Sequence, residues 1–243
     1  MKFGGLKVFC ASNGMNLITN YETMNMSTNS LEAVFSTIYK TNIWGDSKDH
    51  KFYSGSGSHD PKITAPYIQA LSTFMVYFTM ITGKKPIVVD VGCGDFAIGS
   101  KISNYTEKYI GADIVKELIE HNQSVYADNC RSFIHLDISS EAPPRGDICI
   151  VRQVFQHLPN SAIQAALNNI IPNCDYLVLT EHLPNGDDFT PNLEIPHPGS
   201  WRLSIQSGVD ITKSPFNQNL SMSLPIHEID EYGGVIKTII YKK

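Results

Sequence analysis

The residues best suited to chemistry lie in one short stretch, Asp90-Val91-Gly92-Cys93-Gly94. An acid two residues ahead of a Gly-x-Gly turn sets a hydrogen-bond acceptor beside backbone that a ligand can approach, because glycine has no Cβ to hold it off. Two ligand classes suit such a loop. Gly92-x-Gly94-x-x-Ala97 satisfies a dinucleotide fingerprint, and Asp113 follows about twenty residues on, where an acid for ribose hydroxyls is expected. Asp90 argues the other way. A carboxylate at that point would repel a pyrophosphate, whereas a cationic ligand bearing an amino acid has use for it.

Other polar residues fall where strands should end. Asp113 closes one apolar run, Asp137 another, and Arg152-Gln153 a third. His157 follows on the next turn, Glu181 and His182 follow a further apolar run, and His59 sits in a Gly/Ser stretch. Each has a plainer role to set beside the chemical one. Asp113 could cap a helix, although the glycine loop and the acid agree on binding. Asp137 ahead of Ser139 also suits a turn. The histidines could be packing residues or bases, with Glu181 as a rival base.

These residues need a scaffold, and the apolar pattern supplies one. Ile87, Val88, Val89 and Val91 read as a strand buried on both faces, and Ala97, Ile98 and Ile102 have helical spacing after the turn. Further strands are expected at 109–113, 132–137, 147–151 and 176–180, with helices over 115–126 and 160–171, the latter stopped by Pro172. Ile226–Asp230 and Val235–Tyr241 around Gly233-Gly234 read as a hairpin. The alternation predicts an α/β fold with a parallel sheet covered by helices. An open sheet of that kind takes nucleotide-like ligands at the carboxyl ends of its strands.

Upstream, Leu31, Val34, Phe35 and Ile38 mark one helix and residues 65–82 a second, ending at Gly83. Leu6–Cys10 suits a short strand or an ordered arm. Tyr53–Pro61 suits either a flexible linker or a loop closing over the ligand; the flanking aromatics and the following helix weigh towards the loop. Residues 183–222 are rich in Pro, Asn, Gly and Ser around Trp201-Arg202, an irregular insertion of the kind that is functional or partly disordered. Trp201 could face a substrate ring, and Arg202 could fork onto a carboxylate or phosphate.

A chain of 243 residues supports one well-buried domain with an elaboration. A net charge of −5 without a Lys/Arg cluster argues against a nucleic-acid partner. Five cysteines without a Cys-x-x-Cys read as free thiols in a reducing cytoplasm, and no Cys/His spacing calls for a metal. The segment 65–82 is broken by Gln69, Ser72, Thr73 and Thr79, so neither a membrane span nor a signal peptide is expected.

The run hydrophobic-hydrophobic-Asp90-hydrophobic-Gly92-x-Gly94, with the strand order after it, resembles the class I S-adenosylmethionine (SAM)-dependent methyltransferases over roughly residues 86–241. The resemblance implies a Rossmann-like, mostly parallel seven-stranded sheet with helices on both faces and a C-terminal antiparallel hairpin. It implies a SAM-binding core at 83–243, carrying the 183–222 insertion, behind an N-terminal extension at 1–82. It implies that Asp90, Gly92 and Gly94 meet the methionine part of SAM and Asp113, with Ile114, the ribose. Asp137 and Ile138 would meet the adenine, and Arg152 would lie beside the donor methyl. The product would be S-adenosylhomocysteine, the acceptor a small molecule such as a sugar, and methylation would fall on oxygen or nitrogen. His157, His182 and Glu181 are then the candidate bases, and His59, Trp201 and Arg202 the candidate substrate contacts. Phe96 replaces the family's frequent third glycine, and no Asn/Asp-Pro-Pro-Tyr/Phe follows the fourth strand. An NAD(P)-linked oxidoreductase and a SAM-binding partner domain without turnover are the alternatives.

Overall fold

Seven strands pair in one sheet, and their order puts the glycine loop at its centre. They are β1 (Ile87–Val91), β2 (Lys108–Asp113), β3 (Arg131–His135), β4 (Gly146–Arg152), β5 (Cys174–Pro184), β6 (Met222–Glu231) and β7 (Gly234–Lys242). The order across the sheet is β3-β2-β1-β4-β5-β7-β6. β1 to β5 pair in parallel, and β7 lies antiparallel between β5 and β6. The chain leaves β1 towards β2 on one side and returns to β4 on the other, so a crevice opens above β1 and β4. The computed structural model describes residues 30–48, 50–186 and 188–243; the arm expected at Leu6–Cys10, and Cys10 itself, lie outside them.

The helices are α1 (Leu31–Lys40), α2 (Ser56–His59), α3 (Pro61–Thr82), α4 (Gly99–Ile102), α5 (Lys116–Tyr126) and α6 (Asn160–Ile170). α3 begins four residues before its expected start, because Pro61 suits the first helical position and the Asp60 side chain accepts from the Lys62 N–H at 2.9 Å. Its Phe74 and Phe78 pack edge-on against Tyr176 of β5, which lays the helix over one face of the sheet. α4 is a single turn rather than the longer helix expected after the glycines, and a 3-10 turn over Ser103–Tyr105 follows it. β1 and β4 are buried almost throughout, as strands covered on both faces must be.

β5 runs four residues further than its apolar core suggests, because β7 pairs with it as far as Pro184. Glu181 and His182 therefore lie within a strand and not after it. Among its described residues the insertion between β5 and β6 holds one short 3-10 turn, Arg202–Ile205, yet Ile195, Leu203, Val209, Ile211 and Phe216 are buried. It is irregular and packed. Among the described residues no helix is long and apolar enough to cross a membrane, and no cluster of His, Cys, Asp and Glu is arranged to hold a metal ion. Cys93, Cys130, Cys149 and Cys174 are free.

Candidate active site

Within the glycine loop every backbone N–H from residue 92 to residue 97 is engaged inside the chain. Gly92 and Cys93 donate to the Ala112 carbonyl, at 2.8 and 3.1 Å, and Phe96 donates to the Cys93 carbonyl. Gly94 donates to Asp113 Oδ2 at 3.1 Å, Asp95 to Ser54 Oγ at 2.9 Å, and Ala97 to Asp95 Oδ1 at 3.1 Å. A phosphate site on such a loop needs free amides aimed at the anion. This loop has none to give.

What surrounds the loop instead is carboxylate. Asp90 is buried near the end of β1, and Tyr109 donates a 2.6 Å hydrogen bond to its Oδ2. Burial pushes the Asp90 carboxyl up to about 6, against the pull of the Tyr109 hydrogen bond and the charge of Arg152. Gly99 makes this contact possible, since a Cβ there would stand 2.3 Å from the Tyr109 hydroxyl. Asp113 is buried at the end of β2 and accepts from the Gly94 and Val115 N–H groups, one on each oxygen. It ties the loop to α5 and keeps lone pairs for further donors, a carboxylate having about four acceptor sites. The binding and capping roles of Asp113 thus coexist. Ile114 follows it, half-buried, with its carbonyl accepting from His135 Nε2 at 2.9 Å.

The glycines are required for a reason other than the one their spacing suggests. Gly92 and Gly94 have φ of 73° and 56°, and a Cβ would meet Val154 Cγ2 at 2.3 Å and Ser54 Oγ at 2.4 Å respectively. The close neighbours are the chain's own side chains. Phe96, at the third glycine's place, also has positive φ, 67°, and is held there by Tyr109, Tyr126 and Phe133 around its ring.

Asp137 lies two residues past β3 and half-buried. Its Oδ1 accepts from the Ser139 N–H at 2.9 Å and hydroxyl at 2.6 Å, a turn that presents the buried Ile138 next to it. Arg152 ends β4, with its guanidinium over the Tyr67 ring at 4.8 Å and Nη2 donating to the Gly57 carbonyl at 2.7 Å.

The segment 53–60 is ordered and docked, not a linker. Ser54 N–H donates to Asp95 Oδ2 at 2.8 Å, and His59 Nε2 donates to the same oxygen at 2.6 Å while stacking on Tyr53. Tyr39 of α1 adds a 2.9 Å bond to Ser54 Oγ. His59 is thereby a strut of this strap. Asp95, the hub, was not singled out from sequence. Its local signal was available, an acid two residues before the Ala97 N–H it caps.

Two of the three candidate bases, His157 and His182, are held by hydrogen bonds, and Glu181 keeps Oε2 buried without a partner. His157 Nδ1 donates to the Ser200 carbonyl at 3.2 Å, and Nε2 accepts from the Gln156 amide at 3.1 Å. Burial holds the ring down at about 4, so it is a neutral, doubly bonded imidazole beside Trp44. His182 is buried, bonds the Glu231 carbonyl at 2.9 Å and packs on Trp201. Glu181 is buried with Oε1 accepting from the Phe155 N–H at 3.2 Å, and burial pushes its carboxyl up to about 8. Arg202, expected to fork onto a substrate, is fully buried and donates to the Leu158 carbonyl at 2.8 Å and to the Leu193 carbonyl. It is a clamp on the insertion. Its neighbour Trp201, against His182, remains half-exposed.

No protein-family model matches the chain, and no curated protein matches it. Solved structures do. The chain is similar to the magnesium protoporphyrin IX methyltransferase ChlM from Synechocystis PCC 6803 with bound SAM, at 14% identity over 89% of this chain and 99% of that one, TM-score 0.55. It is similar to the N-methyltransferase NodS from Bradyrhizobium japonicum WM9 in complex with S-adenosyl-L-homocysteine, at 12% identity over 72% and 86%, TM-score 0.51. The bifunctional kinase-methyltransferase WbdD matches at 15% identity over 72% of this chain and 39% of that one, TM-score 0.54. Identities this low speak for architecture alone, and the architecture is the class I SAM-dependent methyltransferase fold.

Proposed function

We propose that this chain is a SAM-dependent methyltransferase acting on a small-molecule acceptor. One observation carries the reading: the loop over β1 keeps all its amides for itself, with Asp90 just before it and Asp113 bonded to it. Such a site repels phosphates and suits a ligand with an ammonium group and neutral hydroxyls. That disfavours a nicotinamide dinucleotide on the chemistry of the donor set.

The residues fit SAM part by part. Asp90 has one oxygen bonded to Tyr109 and would take the ammonium group with the other. Asp113 would accept from the ribose hydroxyls, with Ile114 alongside, and Asp137 and Ile138 would flank the adenine. SAM would supply a methyl group activated on a sulfonium. The chain's part is to align the acceptor and exclude water, since an in-line displacement gains most from positioning. With His157 and His182 engaged in hydrogen bonds, the geometry favours an acceptor that needs little help losing its proton. In this reading residues 83–243 form the catalytic core, and the strap and insertion shape the acceptor side. A cytoplasmic location goes with the free thiols.

The test is release of S-adenosylhomocysteine. Protein incubated with methyl-labelled SAM and a small-molecule cell extract should move label into an extractable product in step with S-adenosylhomocysteine. Tight SAM binding with no label transfer to any fraction would make the chain a binding domain instead.

A further inference from the structure

A row of polar side chains crosses four strands beneath α3. Arg152 of β4 is in register with Thr180 of β5, Thr180 with Thr238 of β7, and Thr238 with His227 of β6. In-register neighbours share a face, so the four stand side by side. Tyr67 of α3 covers them, with the guanidinium over its ring and His227 edge-on at 6.2 Å. A β-bulge between Pro225 and His227 aims the histidine here. Thr180 and Thr238 bond each other at 3.0 Å.

Arg152 Nη2 has the Gly57 carbonyl, but other polar atoms of the group go without. Arg152 Nε and both ring nitrogens of His227 are enclosed without a hydrogen bond, and the Tyr67 hydroxyl has only Thr180 as a polar neighbour, short of good hydrogen-bond geometry. Buried polar groups are rarely left so, and a buried guanidinium without a carboxylate partner is costly. Asp90 lies close enough to be felt, but its Oδ2 is taken by Tyr109. A water would serve the neutral groups and leave the guanidinium with Asp90 as a neighbour but no carboxylate paired to it.

We propose that this polar row takes a carboxylate group of the methyl acceptor, gripped by Arg152 with Tyr67 and His227 as neutral partners. The proposal rests on the methyl-transfer reading for the word acceptor. A planar anion matches the guanidinium fork and can accept from a phenol at the same time. The strap is fastened beside the row by the Arg152–Gly57 bond and a 2.9 Å bond between Ser56 and Tyr232 of the β6–β7 turn. An acceptor would enter by lifting it.

Benzoate and benzamide are the probes, titrated by ligand-observed NMR into protein loaded with S-adenosylhomocysteine and into free protein. Benzoate should bind saturably and benzamide not. Arg152→Gln should weaken benzoate about tenfold or more, and Tyr67→Phe about threefold. Tyr67→Phe should also keep or raise the melting temperature, because it deletes an unpartnered buried hydroxyl. That variant carries the test if Arg152→Gln does not fold. No saturable benzoate binding, equal binding of benzamide, or a Tyr67→Phe protein that melts lower and binds benzoate normally would each overturn the proposal. Failure of S-adenosylhomocysteine to bind would remove the methyl-transfer reading and leave the carboxylate site measurable in the free protein.

Discussion

Ser54 and Asp95 exchange two hydrogen bonds: the Ser54 N–H donates to Asp95 Oδ2 at 2.8 Å, and the Asp95 N–H donates to Ser54 Oγ at 2.9 Å. The residues are far apart in sequence, and the pair fastens the strap from α1 to α3 onto the glycine loop. The strap thus reports on the loop.

Asp95→Ala removes the acceptor of the Ser54 N–H and the partner of His59, and leaves only the backbone N–H of residue 95 on Ser54 Oγ. Hydrogen exchange at residues 53–59 should rise while β1 and β4 stay protected, with a stability loss on the order of 1–3 kcal/mol. Exchange unchanged in the strap would mean that Tyr39 and the aromatic contacts hold it without Asp95.

Asp90 sets a pH dependence for the cofactor. A ligand ammonium group needs the carboxylate ionised, and burial holds this one up at about 6. S-adenosylhomocysteine affinity should be level above neutrality and fall below pH 6 by up to about tenfold per pH unit. Asp90→Asn should bind more weakly at pH 7.5 and lose the acid slope. A slope that survives in Asp90→Asn assigns it to another group.

Much of this frame was legible in the sequence, and what was not follows a pattern. β-branched runs such as Val88, Val89 and Val91 report their own burial, and acids at strand ends report the open crevice. Local capping likewise marks α3 through Asp60-Pro61. Positions whose role depends on pairing were hidden. Glu181 and His182 belong to β5 only because β7 reaches alongside, and the Arg152-Thr180-Thr238-His227 row exists only in register. Arg202 reads as a free cation in an irregular stretch, and nothing local tells that Leu158 and Leu193 carbonyls enclose it.

Arg202→Met should therefore act on stability. Two carbonyls lose their donor, and the insertion loses its clamp on the turn after β4. Urea denaturation should show a loss on the order of 2–4 kcal/mol. Unaltered stability with impaired methyl transfer would return Arg202 to the substrate.

Glu181 gives a stability signature with a definite sign. Its carboxyl stands near 8 in the folded chain against an ordinary 4.5, so it contributes stability at acid pH that is lost as pH rises across that window. Glu181→Gln should be the more stable protein at pH 8, by on the order of 1–3 kcal/mol, with the difference shrinking towards pH 5. Calorimetric melting of both proteins across that range measures it. A difference that does not vary with pH would place the charge of Glu181 in water.

The central claim is that the acids around Gly92 and Gly94 bind SAM and reject dinucleotides, and calorimetric titration of S-adenosylhomocysteine, NAD and NADP tests it most directly. S-adenosylhomocysteine should bind at one site with a dissociation constant in the micromolar range, about −8 kcal/mol. Asp113→Asn should weaken that binding by roughly 2 kcal/mol, through lost charge-assisted bonds to the ribose. NAD and NADP should give no comparable heat. Tight nicotinamide binding with no response to S-adenosylhomocysteine would contradict the account at its root.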